Sequence, residues 1–380
     1  MRFFATAAKG TEPALRDELR ELRFRRVRAD RGGVHFEGEL IEGARACLWS
    51  RVAVRVLLEV ASFDAGDAQA LYEGVRAIRW DAWMTPRSTV AVRASCRSSR
   101  MTHSQFVAQR TKDGIVDAVR TEAGERPDVD RDDPDVLVAV HLARDRATVY
   151  LDVGGGSLHE RGWRARSGEA PLRETLAAAI LRLSGWDRER PLIDPMCGAG
   201  TIAIEAAAWA RRMAPGLSRE RFGFERWTDH GDAMRARVCD LRDAARAEAR
   251  ADGPPVYASD VDPLAVERTR ANALRAGVSL VVETRDVRRL APLDPPGFVV
   301  TNPPYGERMD AEASVIEDLA RALRRLQGHT VAILAGSPAI GRAMRSEPER
   351  WWILHNGPIE CRLLLYAIRG ARGGGTGDPS

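Results

Sequence analysis

Residues 191–207 read PLIDPMCGAGTIAIEAA, and this stretch decides the fold. An apolar strand over Pro191–Asp194 ends on a carboxylate, a turn follows with Gly198 and Gly200, and Thr201–Ala208 has the composition of a helix. Strand, glycine turn and helix in that order open a parallel α/β sheet. The glycines let the backbone approach a ligand closely, and the helix start offers N–H groups with no intrahelical partner. The spacing D-x-x-x-G-x-G is not G-x-G-x-x-G, so a dinucleotide pyrophosphate fits poorly. Cys197 sits inside the turn with no Cys or His nearby and reads as a small packing residue of the cofactor turn.

Working outward, two later strand candidates also end on acids. VYASD ends at Asp260, where a carboxylate can take both hydroxyls of a ribose, and LVVETRD ends at Asp286, where one can accept from an exocyclic adenine amine. Asp262 reads as the cap of a helix over Pro263–Arg275. Three acids on successive strands of one parallel sheet converge on its carboxyl edge, where such folds bind ligands. They imply a nucleoside cofactor with no required phosphate, and S-adenosylmethionine is the candidate. Further on, residues 298–306 read FVVTNPPYG. A buried strand delivers Asn302 to the same edge, and two prolines fix a rigid turn carrying Tyr305. The Asn302 amide oxygen and the Pro303 carbonyl can accept both N–H groups of a planar amine, and Tyr305 can stack on its base. The pattern therefore predicts methylation of a planar amino nitrogen, and alone it leaves adenine N6, guanine N2 and a glutamine amide open.

The remaining strands of this half are Leu280–Thr284, Thr330–Ala335 and an antiparallel hairpin through Trp351–Leu354 and Cys361–Ile368. The expected fold class is α/β: a Rossmann-like, mostly parallel sheet with a C-terminal antiparallel hairpin over residues 172–370. An α+β region precedes it. Residues 1–60 predict β-α-β-β-α-β, with Thr11 at the first helix N-cap and a hairpin at Asp30. Residues 61–155 predict helix, strand, helix and two closing strands joined at Ala143-Arg-Asp-Arg. Residues 156–171 read as a linker and 371–380 as a disordered tail. Composition agrees with an ordinary globular chain of 380 residues. Five separated cysteines without a CxxC pair argue against structural zinc and a secreted disulfide framework, so no metal and a cytoplasmic location are expected. No run is long enough to span a bilayer.

Seven segments together resemble one family: LDVGGGSLHERGWR (151–164), EAPLRETLAAAIL (169–181), LIDPMCGAGTIAIEAA, APGL (214–217), FGFERW (222–227), TNPPYGERM (301–309) and NGPIECRLLLY (356–366). They are similar to the bacterial THUMP-domain class I RNA methyltransferases that make N2-methylguanine in 23S rRNA. The resemblance implies a ferredoxin-like domain over 1–60, a THUMP domain over 61–155 that grips RNA, and no obligate protein partner. It implies cofactor positions at Asp194, Cys197, Gly198, Gly200, Asp260 and Asp286. Leu172 and Thr175 would touch the cofactor's methionine end, and Asn302, Pro303 and Tyr305 the target base. One branch of the family carries a second methyltransferase domain, and this chain stops after the first. Related tRNA guanine-N2 enzymes are single units, so the RNA stays open between 23S rRNA and tRNA. An N6-adenine nucleic-acid methyltransferase and a catalytically silent RNA-binding assembly factor are the other readings.

Charge gives a local argument only. The net charge is +4, and of 58 basic residues two, Lys9 and Lys112, are lysines, which fits a GC-rich genome. Between Arg76 and Arg110, however, seven arginines (76, 79, 87, 93, 97, 100, 110) face one acid, Asp81. Arg76, Arg79, Arg93, Arg97, Arg100 and Arg110 are the candidate RNA contacts there. Arg161, Trp163 and Arg164 in the linker read equally as a further Arg–aromatic RNA groove or as a pin between the two domains. FGFERW is read as packing.

Overall fold

β1 (Arg2–Thr6), α1 (Glu12–Glu21), β2 (Arg25–Asp30), β3 (Gly33–Glu37), α2 (Leu40–Trp49) and β4 (Arg55–Asp64) follow in the expected order in a computed structural model, which describes residues 1–164, 172–228, 231–304 and 309–369. Alternation sets the faces: Phe3, Ala5, Val34, Phe36, Val56 and Leu58 are buried, while their strand neighbours Phe4, His35 and Glu59 are less so or charged. Phe3 stacks on Phe36 at 5.0 Å between centroids. Thr11 directly precedes α1, the N-cap position expected of it, and its hydroxyl donates to the Ala8 carbonyl at 2.7 Å.

α3 (Ala68–Arg76), β5 (Thr89–Arg97), α4 (Ser104–Val119), β6 (Asp128–Val129), β7 (Val136–Ala143) and β8 (Arg146–Asp152) come next. All eight strands make one sheet, ordered β2-β3-β1-β4-β8-β7-β5-β6. The boundary expected at residue 60 falls inside β4, which pairs β1 on one side and β8 on the other. The β7–β8 turn puts Arg144 (φ 52) and Asp145 (φ 58) in the left-handed region, as a tight hairpin turn demands.

The chain continues through α5 (Glu174–Leu183), β9 (Leu192–Asp194), α6 (Thr201–Ala210), α7 (Asp232–Ala247), β10 (Val256–Asp260), α8 (Pro263–Ala276), β11 (Val281–Thr284), β12 (Phe298–Thr301), α9 (Met309–Arg324), β13 (Thr330–Ala335), α10 (Ala339–Ala343), β14 (Arg350–Asn356) and β15 (Ile359–Ala367). Their sheet runs β11-β10-β9-β12-β13-β15-β14, parallel except where β15 enters. It is the Rossmann-like, mostly parallel sheet with a C-terminal antiparallel hairpin that the sequence predicts. One core packs Leu176, Ile180, Ile202 and Ala206 against Leu192, Val256 and Val300. Another packs Leu319 and Leu323 with Ile193, Val299 and Val331.

Compactness divides the chain differently from its sequence order. One unit contains Met1–Ala7, Leu15–Glu160 and Ala214–Ala247; the other contains Ala8–Ala14, Arg161–Met213 and Glu248–Ser380. The insert between β9 and β10 thus folds with the first unit. Phe222, Phe224 and Trp227 are buried there, Trp227 lies edge-on to Trp83 at 5.3 Å, and Arg226 forks onto Asp133 at 2.6 Å. Among the described residues no helix is long and apolar enough to cross a membrane. The tail 371–380 and residues 165–171 of the expected linker lie outside the described residues.

Candidate functional site

Strand order places the three acids side by side at the carboxyl edge of the second sheet. β9, which carries Asp194, lies between β10 and β12, and β10 lies between β9 and β11. Asp194 is 2 % exposed. Burial pushes its carboxyl up to about 7; the Met196 N–H and the Thr301 hydroxyl hold it back, and the charge of Asp260 pushes the same way as burial. None of these groups is a cation. Asp260 accepts the Gly198 N–H at 2.9 Å with one oxygen and the Asp262 N–H at 3.0 Å with the other. Each oxygen keeps a lone pair for a further donor. Asp262 caps α8 by accepting the Leu264 N–H at 2.9 Å, as the sequence predicts.

The glycine turn needs its glycines for two different reasons. Gly198 has φ +55 and a Cβ added there would meet nothing within 4 Å, so the turn opens onto free space. Gly200 has φ +83, and its Cβ would fall 2.8 Å from the Thr269 methyl. Sequence reasoning missed what holds this turn. Thr269 donates to the Gly198 carbonyl at 2.9 Å, and the Asn272 amide donates to the Ala199 carbonyl at 2.9 Å. Both lie on α8 and are almost fully buried. The available signal was polar residues at i and i+3 on the buried stripe of that helix. Cys197 is buried beside Thr269, and burial pushes its thiol up to about 12, as a packing residue requires.

Asp286 departs from expectation. It caps a short 3-10 helix, and both its oxygens meet the Arg288 guanidinium, with Nε at 3.0 Å from each. Hydrogen bonds from Arg288 hold its carboxyl down at about 2. A ligand amine would have to share or displace that arginine. Asn302 directly follows β12, and its Oδ1 is buried with no hydrogen-bond partner among the described residues. Pro303, next to it, is also buried. Tyr305 lies outside the described residues.

The groove reading of the linker arginines is corrected. Arg161, Trp163 and Arg164 were candidates to line an RNA groove, but Arg161 and Trp163 are each 6 % exposed. Arg161 pairs with Glu205 at 3.2 Å, and Arg164 pairs with Glu174 at 3.0 Å. Trp163 packs with Leu172 and Leu176 in the core, and its carbonyl accepts from Arg275 at 2.8 Å. A buried charge needs a partner, and α5 and α6 supply one each. Leu172 and Thr175 lie beside this network, both buried, and the Thr175 hydroxyl has no partner among the described residues.

The arginines of the first unit divide into two kinds. Arg110 lies over the Tyr72 ring at 4.1 Å and donates to the Ala68 carbonyl, so it is a packing residue. Arg100 and Arg79 are exposed but pair with Asp145 and Asp81. The run that lacks acids in sequence therefore gains Asp145 in space. Arg93 and Arg97 alternate with Ser95 on β5, all three exposed, and neither arginine has an ion-pair partner among the described residues. Ser95 meets the His141 ring on the neighbouring strand at 2.8 Å. Arg76 is exposed as well.

Comparison with known proteins adds three matched segments. Residues 161–364 match the RMKL-like methyltransferase domain, 65–152 the THUMP domain, and 2–57 the RlmL ferredoxin-like domain. The chain is 41 % identical over 397 residues to the ribosomal RNA large subunit methyltransferase K/L of Syntrophotalea carbinolica, covering 100 % of this chain and 55 % of that protein. It thus spans about half the length of the curated relatives it matches. Among solved structures, SMU.472 in complex with SAH superposes with a TM-score of 0.87 at 28 % identity, covering 98 % of this chain and 99 % of that one. A protein of Listeria monocytogenes, named a predicted N6-adenine-specific DNA methylase, superposes with a TM-score of 0.85 at 30 % identity, covering 96 % and 95 %.

Proposed function

The chain belongs to the RMKL-like methyltransferase family, and on that premise we propose that it methylates the exocyclic N2 amine of a guanine in large-subunit ribosomal RNA, with S-adenosylmethionine as donor. The observation that carries the reading is the buried Oδ1 of Asn302, which has no hydrogen-bond partner among the described residues, directly after β12 and one strand from the glycine turn. A buried acceptor without a donor costs about 1–3 kcal/mol, and a substrate amine removes that cost. The cofactor supplies an electrophilic methyl on a sulfonium.

The chain's own residues do the rest. Asp260 holds ribose hydroxyls with the lone pairs left by Gly198 and Asp262. Asp194 faces a cationic part of the cofactor. Asn302 Oδ1 and the Pro303 carbonyl accept the two amine hydrogens and turn the nitrogen lone pair out of conjugation, toward the methyl. When bound, the cofactor would supply a methyl whose bonding pair stays with sulfur as the amine lone pair takes the carbon, and the methylated amine, cationic and acidic, would lose its proton to water with no strong base required. Positioning carries most of the rate. Tyr305 would stack on the extruded base.

The K/L name of the relative supports large-subunit rRNA, and the name of the Listeria protein keeps N6-adenine as the second reading. Protein-free 23S rRNA and bulk tRNA, each incubated with the protein and labelled donor and then digested to nucleosides, separate them. Label in N2-methylguanosine from 23S rRNA is expected. Label in N6-methyladenosine, or only in tRNA, would overturn the substrate.

The exposed face of β5 supports an RNA contact. Arg93→Ala with Arg97→Ala should weaken RNA binding and lower the magnitude of the log–log salt slope by about 1.4, two single-strand phosphate contacts. Arg110→Ala should instead lower stability. An unchanged slope would remove β5 from the RNA face.

A further inference from the structure

Arg164 is held by three contacts on the methyltransferase sheet's edge. Its Nε donates to Glu174 at 3.1 Å, and Nη2 donates to the Leu172 carbonyl at 3.1 Å and to the Thr201 hydroxyl at 2.9 Å. The flat of the guanidinium lies 5.1 Å from the Trp163 ring centroid. Its remaining nitrogen, Nη1, is buried and has no acceptor among the described residues. A guanidinium carries five donors in a fixed fork, so the packing that fixes three of them also fixes where the other end points.

Two further features around it favour an anion. Thr201 is the first residue of α6, whose N-cap is Gly200 and carries no capping side chain, so the first-turn N–H groups lack a side-chain acceptor. Thr175, next to Glu174 on α5, is 2 % exposed and its hydroxyl has no partner among the described residues. Nη1 and the Thr175 hydroxyl could therefore receive one carboxylate without displacing the Arg164–Glu174 pair.

Strand order says which carboxylate. With ribose on Asp260 at β10 and the reacting amine on Asn302 at β12, a bound cofactor would span β9, which lies between them, and the start of α6, which follows β9 directly, would be the helix end open to its amino-acid arm. We propose that Arg164 binds the α-carboxylate of the cofactor through Nη1, with Thr175 and the α6 start as further donors; this rests on the cofactor reading above. It makes Arg164 a binding residue that sets discrimination for the intact amino-acid arm.

The test compares S-adenosylhomocysteine with its decarboxylated analogue, S-adenosyl-3-thiopropylamine, by titration calorimetry. The wild-type protein should prefer S-adenosylhomocysteine by about 10–100-fold, the range of a hydrogen bond to a charged group. Arg164→Met should erase that preference by weakening S-adenosylhomocysteine alone. Where the methionine variant does not fold, Arg164→Lys keeps a charge beside Glu174 and should lose most of the preference, because an ammonium does not reproduce the fork. Equal losses for both ligands, or a preference that survives, would overturn the proposal. Failure of the wild-type protein to bind either compound would overturn the cofactor reading itself.

Discussion

Asn302→Ala is expected to lower the methylation rate by at least about 10³-fold while the affinity for S-adenosylhomocysteine stays within about twofold. The size follows from two roles lost together. An acceptor that holds a reacting nitrogen in line contributes about 10²–10³ by itself, and displacement of the reacting atoms by about 1 Å costs a further factor of about 10². Cofactor affinity should be spared because Asn302 follows β12, whereas the acids proposed to hold the cofactor end β9 and β10 (Asp194, Asp260) or follow β11 (Asp286). Stability gives the sharper contrast. Asn302 Oδ1 has no partner among the described residues, so its removal takes away a desolvated acceptor and should leave thermal stability equal or slightly higher. A residue that merely supported the loop would do the opposite. Activity and stability falling in parallel, or activity retained in full, would withdraw Asn302 from the site.

The parts of this site that could be read from sequence are those fixed by neighbours along the chain. β10 and β12 have the expected bounds, Val256–Asp260 and Phe298–Thr301, because apolar runs flanked by Pro and Gly leave little choice of register. The Gly198–Gly200 turn was legible for the same reason. What needs a distant partner was not. Arg161 and Arg164 look solvated in sequence, and ion pairs with Glu205, 44 positions on, and with Glu174 help make their burial tolerable. Thr269 reaches the Gly198 carbonyl across 71 positions, and nothing local announces it. The insert Ala214–Ala247 lies in sequence between two strands of one sheet, yet its aromatics are buried with the other unit. Asp286 is the exception, since Arg288 stands two residues away and the pair could have been anticipated.

Asp194→Asn should move stability and cofactor affinity in opposite directions. The carboxyl is buried, its pKa is raised to about 7, and the Met196 N–H and Thr301 hydroxyl only partly offset its desolvation. A folded-state pKa above the unfolded value means the native protein holds the proton more tightly. The stabilisation is therefore full below about pH 4 and is lost as pH rises through about 7. At pH 8 the wild-type protein carries an uncompensated buried charge, on the order of 2–4 kcal/mol for a shift of this size. The amide substitution removes that charge at nearly constant volume, so the methyltransferase unit should unfold at a higher temperature at pH 8, with a flatter dependence between about pH 4 and pH 7. Binding should respond the other way. A cationic group of the cofactor prefers the ionised carboxylate, so wild-type affinity for S-adenosylhomocysteine should rise with pH up to about 7 and then level, with proton release measurable in buffers of different ionisation heat. The Asp194→Asn variant should bind at least about 10-fold more weakly at pH 8 and lose the pH dependence. A variant that is destabilised at pH 8, or one that keeps the wild-type binding profile, would show that Asp194 serves the fold and not the ligand.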